Sequence, residues 1–193
     1  ADDHTLHSNL LMSNADEGPD HPAAGIFTRN KVKAAPVLWS QQVLTTGRLR
    51  AVVLNSGGAN ACTGPLGFQD THATAEATAA ALSDWGTETG AIEVAVCSTG
   101  LIGDRLPMDK VLAGVREVVH EMAGGLTGGE EAARAIMTTD TVPKQVALHQ
   151  DNWTVGAMAK GAGMLAPSLA TMLCVITTDA VASPEALRAA LNA

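Results

Sequence analysis

The residues best suited to chemistry lie in a glycine-rich stretch at positions 160–173, KGAGMLAPSLATML. Its glycine spacing matches the G-x-G-x-x-A fingerprint of dinucleotide-binding folds, in which a helix must follow the last small residue. Pro167 and an apolar β-branched run stand where that helix would be, and Asp179 lies in a turn instead of at a strand end. We therefore interpret the glycines as a tight turn ahead of a threonine, Thr171, at the head of a buried strand.

Thr171 can act as a nucleophile only if a neighbouring group accepts its proton, because a threonine hydroxyl is weakly nucleophilic by itself. In one class of enzymes that neighbour is the threonine's own α-amino group, which is freed by cleavage of the preceding peptide bond. An α-amine has an ordinary pKa of about 7.7–8.0, so it is partly neutral near pH 7 and lies within reach of the hydroxyl. Composition and spacing alone do not select Thr171 among the threonines of the chain.

A second polar group, Ser98-Thr99-Gly100, comes directly after an apolar run. A hydroxyl and a backbone N–H at a sharp turn suit the stabilisation of an oxyanion. The same three residues are also typical of a plain strand end, and on the residues alone that interpretation is favoured.

The sequence NSGGANACTG at positions 55–64 also allows two interpretations, a cradle of backbone N–H groups for an anion or a tight structural loop. Because the Gly-Lys-Ser/Thr ending of a phosphate-binding loop is absent, a structural loop near the active site is favoured. Cys62 within it has no basic residue nearby in sequence to activate its thiol, so it is expected to be inert. The six histidines show no ligand spacing, and no metal site is expected.

These groups must be positioned by an alternation of strands and helices. Strands are predicted at residues 23–28, 49–54, 91–96 and 169–178, with a hairpin of residues 146–149 and 153–158. Helices are predicted from Pro36 to Gly47, over residues 69–85, 107–122 and 130–136, and from Ser183 onward. Residues 55–67 are predicted to be a loop. The alternation indicates a layered α/β protein, and the length of 193 residues suits a single domain, 1–193, with a loose lead-in at 1–22.

Composition argues against two classes of partner. The net charge is −8 and only 3% of residues are aromatic, so neither a nucleic-acid surface nor an anionic-membrane patch is indicated. No apolar run approaches the length of a membrane helix, and the N-terminus lacks a signal-peptide pattern. The three cysteines imply no disulfide framework. A small-molecule partner and a cytoplasmic location are therefore expected.

Five motifs in order resemble the ornithine acetyltransferase family, also called glutamate N-acetyltransferase, and mainly its N-terminal (alpha) chain. They are GIFTRNKVKAAPV at 25–37, NSGGANACTG at 55–64, STGLIG at 98–103, IMTTDT at 136–141 and KGAGMLAPSLATML at 160–173. The resemblance covers the chain from about residue 23 onward. It implies an α-β-β-α sandwich of the DmpA/ornithine acetyltransferase type.

The resemblance also implies a reaction. A precursor would cleave itself between Ala170 and Thr171, so that 23–170 belong to an alpha chain and 171–193 begin a beta chain. Thr171 would accept the acetyl group of N-acetylornithine and pass it to glutamate, in arginine biosynthesis. Acetyl-CoA as a further donor is left open. The family commonly assembles as a heterotetramer of two alpha and two beta chains.

By the same resemblance, Thr99 and Gly100 match the family's oxyanion hole. Lys160 and Thr138 match residues that bind the amino-acid substrate together with Thr171, and no cofactor is implied. A lysine in such a setting otherwise usually extends its amine to water, and a threonine such as Thr138 otherwise caps or turns the chain.

Two alternatives stay open, and the first concerns where the sequence ends. Family enzymes carry about as much chain again after the nucleophile, whereas this sequence stops at Ala193. One alternative is therefore a non-catalytic fragment that needs its missing second half. The other keeps the N-terminal nucleophile and changes the reaction to that of an amidohydrolase or aminopeptidase, because hydrolysis and transfer differ only in the acceptor that reaches the acyl-enzyme.

Overall fold

The computed structural model describes residues 8–12, 21–122, 125–162 and 171–193. Strands and helices are mixed along the chain. The strands are β1 Ser8–Met12, β2 His21–Pro22, β3 Arg48–Leu49, β4 Ala51–Gly58, β5 Val94–Leu101, β6 Lys144–Gln150, β7 Trp153–Lys160 and β8 Leu173–Thr178. The helices are α1 Ala35–Val43, α2 Gly64–Asp84, α3 Met108–His120, α4 Gly125–Ala135 and α5 Pro184–Asn192. None of the helices in these ranges is long and apolar enough to cross a membrane.

The first sheet has the strand order β1-β4-β5 and is covered by helices α1, α2 and α3. Strands β4 and β5 are parallel, and β1 is antiparallel to β4. On α3 the buried residues are Val111, Val115 and Val119, four positions apart, which is the spacing that places side chains on one face of a helix. Helix α1 is tied to the sheet by Trp39, whose Nε1 donates to the Val94 carbonyl at 2.9 Å.

The second sheet is antiparallel, with the order β6-β7-β8. One of its faces packs against α4 and the first sheet in a shared apolar cluster. That cluster contains Leu54 of β4, Ala132, Ala133 and Ile136 in and after α4, and Met158 of β7. Both sheets therefore contribute side chains to this cluster.

Three predicted elements match the structure well. The helix predicted at 107–122 is α3, and the hairpin predicted at 146–149 and 153–158 is formed by β6 and β7. Helix α5 begins after Ser183, whose hydroxyl accepts from the Ala186 N–H at 3.2 Å as an N-cap. The predicted helix at 130–136 begins earlier, in α4, and the predicted strand at 169–178 is observed only from Leu173, since 169 and 170 lie outside the described residues.

The strand predicted at 23–28 is wrong, because those residues form no regular element. Ala23 and Phe27 pack against the core of the first sheet, and the Ala23 N–H donates to the Gly47 carbonyl at 2.8 Å. The apolar residues at 23–28 therefore indicated burial correctly, but a segment can be buried without pairing in a sheet. In contrast, part of the stretch expected to be a loose lead-in forms β1, paired with β4.

The loop predicted at 55–67 is also wrong, since β4 continues to Gly58 and α2 begins at Gly64. The predicted strand end at Ser98 is wrong for the same reason, because β5 continues to Leu101. The two extensions pair with each other, with Gly57 opposite Gly100. Ladder hydrogen bonds thus overcome the poor strand propensity of glycine and serine.

Candidate functional site

Lys160 is the central residue of the candidate site. It ends β7 on the face that meets the first sheet, and only 5% of it is exposed. Its Nζ donates to Thr99 Oγ1 at 2.9 Å and to Thr138 Oγ1 at 2.6 Å. Three of the residues singled out in the sequence, which lie far apart along the chain, are therefore in direct contact.

The contact with Lys160 fixes how the Thr99 hydroxyl can be used. An ammonium group has donors only, so Thr99 Oγ1 must accept the bond from Lys160. The proton of the Thr99 hydroxyl is then free to be donated to another acceptor. Thr99 is 1% exposed and lies within β5, so its position is set by the strand rather than by a mobile turn.

Gly100 follows Thr99 in a conformation that favours glycine, with φ of 132°. A Cβ added at Gly100 would lie 2.3 Å from the carbonyl carbon of Gly57 on β4, whose own φ is 109°. The close approach of the two backbones explains why β4 and β5 can remain paired through this glycine-rich stretch. It also places the Gly100 backbone at the same end of the sheet as the Thr99 hydroxyl.

Thr171 lies just before β8, at the end of the second sheet where Lys160 is found. Leu173 pairs with Lys160, and a Cβ added at Gly161 would contact Met172 Cγ at 3.4 Å. Thr171, which is partly buried, therefore comes two residues before the strand partner of Lys160. Ala170, the other half of the predicted cleavage site, lies outside the described residues.

Asp140 belongs to the same cluster and was not predicted from the sequence. Its Oδ1 accepts from the Gly161 N–H at 2.8 Å and from Lys144 Nζ, and its Oδ2 accepts from the Thr138 N–H at 3.4 Å. Its side chain is 1% exposed. The available signal was an aspartate inside an otherwise β-branched connector with a lysine four residues later, but that pattern does not reveal which backbone groups the carboxylate binds.

The pKa values of Asp140 and Lys160 are both lowered by this arrangement. Burial by itself would raise the pKa of Asp140, but hydrogen bonds from Lys144 and from the N–H groups of Gly161 and Thr138 outweigh it and lower the pKa to about 2. Burial lowers the pKa of Lys160, the nearby Asp140 charge opposes this, and Lys144 adds to it. The negative charge of Asp140 therefore helps to keep the buried Lys160 protonated.

Polar side chains also stabilise the ends of β5, which carries Thr99, and of its neighbour β4. The Ser98 hydroxyl donates to Asn55 Oδ1 at 2.6 Å, and Asn55 Nδ2 donates to the Gly58 carbonyl at 3.2 Å. The Ser56 hydroxyl donates to the Ala135 carbonyl of α4 at 2.8 Å. Such buried polar groups are stable because each has a partner. They hold the glycine-rich ends of β4 and β5 in one arrangement.

The chain after β4 supports the structural interpretation of the NSGGANACTG sequence. Asn60 has φ of 48° and is fully buried, and its amide donates to the Gly67 carbonyl at 2.7 Å and to Thr71 Oγ1 at 2.9 Å. The Asn60 side chain thus connects the turn to α2.

Among the cysteines, burial raises the pKa of Cys97 to about 11, which keeps that thiol protonated. Within the described ranges, no group of three His, Cys, Asp or Glu side chains could hold a metal ion.

Comparisons with known proteins show which sequences and folds this chain resembles. The sequence profile of the ArgJ family matches residues 7–193. Relatives described as "arginine biosynthesis bifunctional protein ArgJ" occur in Mycobacterium tuberculosis, 85% identical over 91% of this chain and 44% of the relative, and in Streptomyces coelicolor, 65% identical over the same shares. The chain therefore spans about 44% of the length of these relatives.

Two solved structures have the same mixed helix and sheet fold. One is an ornithine acetyltransferase complexed with ornithine from Mycobacterium tuberculosis, with a TM-score of 0.78 and 72% identity, covering 87% of this chain and 92% of that one. The other is an arginine biosynthesis bifunctional protein from Bacillus halodurans, with a TM-score of 0.63 and 27% identity, covering 87% and 91%.

Proposed function

The chain belongs to the ArgJ family, and on this premise we propose that it is the N-terminal part of an acetyltransferase of arginine biosynthesis that moves the acetyl group of N-acetylornithine to glutamate. The observation that carries the proposal is the contact of the buried Lys160 ammonium with Thr99 and Thr138, beside the strand that Thr171 precedes. We expect the enzyme to act in the cytoplasm, where amino acids are made.

In the proposed reaction, cleavage of the bond between Ala170 and Thr171 frees the Thr171 amine. That amine takes the proton of the Thr171 hydroxyl, and the oxygen attacks the acetyl carbonyl of N-acetylornithine. When the tetrahedral intermediate collapses, the C–N bond breaks, the Thr171 ammonium gives its proton to the departing amine of ornithine, and the acetyl group stays on Thr171 as an ester. The amine of glutamate then attacks this ester, the Thr171 amine transfers the proton of the attacking amine to the Thr171 oxygen, and acetylglutamate leaves.

The tetrahedral intermediate carries an oxyanion, which we assign to the Thr99 hydroxyl and the Gly100 N–H. The proposal is supported by the direction of the Lys160 bond, because it leaves the Thr99 proton available for donation. The positive charge of Lys160 also makes that hydroxyl a stronger donor. A single donor of this kind typically stabilises the transition state by about 3 kcal/mol.

Lys160 and Thr138 are further proposed to bind the amino-acid substrate. The α-carboxylate is a suitable partner for Lys160, because a buried ammonium is costly unless a negative charge approaches it. Lys160 has three donors, of which two are used within the described chain. The third is therefore available to a carboxylate oxygen of ornithine or glutamate.

A second half of the protein is proposed to cover the outer face of the second sheet. Val146 and Ile176 flank Ala157 in register on that face, and they are 53% and 52% exposed. An apolar face of this kind is usually covered in a complete protein. Because the chain spans only about 44% of its relatives, the remaining length is available to supply the second helical layer of an α-β-β-α sandwich. Two such processed pairs would form the heterotetramer.

The test uses the full-length protein with N-acetylornithine, with and without glutamate. Acetylglutamate formation that requires Thr171, and ornithine release that requires glutamate over many turnovers, are expected. Ornithine release that continues without glutamate would indicate a hydrolase instead. Acetyl-CoA with glutamate, in the same assay, decides whether it also serves as a donor. Residues 1–193 alone should be inactive.

A further inference from the structure

The Asp140 carboxylate binds two backbone N–H groups that flank the contacts of Lys160. One belongs to Gly161, the residue after Lys160, and the other to Thr138, whose hydroxyl accepts from the Lys160 ammonium. A buried carboxylate is unfavourable unless donors satisfy it, and here Lys144 supplies a third. Asp140 thus binds the backbone on both sides of the contact between Lys160 of β7 and Thr138 of the connector before β6.

We propose that Asp140, paired with Lys144, is a positioning residue that holds the Lys160 ammonium between the Thr99 and Thr138 hydroxyls. The proposal rests on the proposed function, since it assigns a task to the same site. Without the carboxylate, the N–H groups of Gly161 and Thr138 would lose the acceptor that they share. Lys160 would then be free to turn away from Thr99, and the oxyanion donor would lose its orientation.

The charges around Lys160 support the same role. Asp140 favours the protonated form of Lys160, whereas burial and Lys144 oppose it. Among the described residues, charged and titratable groups on α4 and at the far end of the second sheet have other partners or are exposed. On α4, Glu130 binds Arg134 at an exposed surface, and Glu131 is exposed; at the opposite end of β7, His149 contacts Thr154 and Asp179 accepts from the Thr154 N–H.

The chain contains a matched control for the Asp140–Lys144 pair. Glu130 and Arg134 are also four residues apart and joined by a hydrogen bond of 2.6 Å, but their side chains are 48% and 61% exposed. Neither contacts Lys160, Thr99 or Thr138 in the part of the chain that the structure describes. Removing the Glu130 charge therefore tests the loss of a similar ion pair without touching the site.

The experiment compares full-length wild type, Asp140→Asn, Lys144→Gln and the control Glu130→Gln. For each, kcat and KM for N-acetylornithine are measured on processed, folded enzyme across a range of pH. The temperature is kept well below the midpoint of thermal unfolding. For Asp140→Asn we expect kcat to fall roughly 10- to 100-fold, because a small displacement of a catalytic contact costs rates of this size. The alkaline limb, where Lys160 deprotonates, should move to lower pH.

Lys144→Gln should move the alkaline limb in the opposite direction, to higher pH, because a positive neighbour of Lys160 is lost. Glu130→Gln should leave both kcat and the pH profile unchanged. A role limited to holding the fold together would lower the unfolding midpoint and leave the kcat of the folded enzyme unchanged, whereas a positioning role lowers kcat in enzyme that is fully folded.

The proposal is overturned if Asp140→Asn keeps the kcat and the alkaline limb of the wild type. If Asp140→Asn gives no folded protein, Lys144→Gln decides alone, because it removes the partner that holds Asp140: a fall in kcat at an unchanged unfolding midpoint supports the proposal, and the kcat of the wild type overturns it. A wild type that moves no acetyl group would refute the proposed function itself, which separates the two failures.

Discussion

The two three-stranded sheets of this chain differ in what covers them. The first is packed by helices on one face and by α4 and the second sheet on the other, so Val53 and Leu54 of β4 are almost fully buried. The second is covered on one face only, and all seven residues of β6 are exposed. The candidate site lies where the two meet, with Thr99 from the covered sheet and Lys160 from the open one. The site therefore joins a residue from a sheet that is covered on both faces to one from a sheet whose β6 strand and outer face are exposed in the described part of the chain.

Breaking the contact between the sheets should have the largest effect. Lys160→Met in the full-length protein removes the charge that orients Thr99 and keeps a similar side-chain length. We expect kcat/KM to fall roughly 10²–10³-fold, the range seen when an oxyanion donor is lost. The unfolding midpoint should not fall, because a buried ammonium is replaced by an apolar group. Lys110→Met, at an exposed position of α3, is the control and should retain full activity.

Alanine at one glycine of each sheet should lower the stability of the fold by different amounts. Gly100→Ala in β5 forces a Cβ to 2.3 Å from Gly57 at a φ of 132°, so we expect a loss of about 2–6 kcal/mol in the free energy of unfolding. Gly156→Ala in β7 meets only the Thr177 hydroxyl at 3.2 Å, which a side-chain rotation relieves. It should cost less than about 1 kcal/mol. Chemical denaturation of both variants measures the difference, and equal losses would contradict the difference in backbone spacing.

Truncating apolar side chains to alanine should show which sheet face is covered in the 1–193 chain and which is covered only in the full-length protein. Leu54→Ala leaves a cavity in the shared cluster and should cost about 2–5 kcal/mol in both the 1–193 chain and the full-length protein. Ile176→Ala, on the open face, should cost less than about 1 kcal/mol in the 1–193 chain, because the side chain is 52% exposed. In the full-length protein its cost should rise. An unchanged cost there would mean that nothing packs on this face.

The buried carboxylate should make the free energy of unfolding depend on pH in acid. Asp140 has a folded pKa of about 2 against an ordinary 3.8, so it stabilises the fold above pH 3.8, and this contribution is lost as the pH falls toward 2. The difference corresponds to about 2 kcal/mol. The free energy of unfolding of the wild type should therefore drop between pH 4 and pH 2 by about that amount more than that of Asp140→Asn. Parallel curves for the two proteins would contradict the assigned pKa.

The sequence predicted these features unevenly. Helix α3 was evident because its valines repeat with the period of a helix, and the β6–β7 hairpin because Asp151 and Asn152 separate two apolar runs. The extension of β4 was not, since its glycines favour a loop until β5 is present to pair with them. Thr99, Thr138 and Lys160 were found through a resemblance to a family, and the structure brings these three together.

Asp140 was missed for a physical reason. Its partners are backbone N–H groups at Thr138 and Gly161, and any residue type can supply such groups. No side-chain pattern therefore marks them in the sequence. The role of Thr171 as the nucleophile remains a prediction. The strand that follows it lies beside Lys160, but Ala170, the other residue of the predicted cleavage site, lies outside the described residues.

The most direct test of the account is the covalent state of the threonine. Full-length protein is mixed with N-acetylornithine in the absence of glutamate, and its chains are weighed by mass spectrometry, with Thr171→Ala as the control. We expect a fragment that begins at Thr171 and gains one acetyl group, and an intact, unacetylated chain in the variant. Release of ornithine from wild type without any acetyl group on that fragment, or cleavage of the Thr171→Ala chain, would contradict the account.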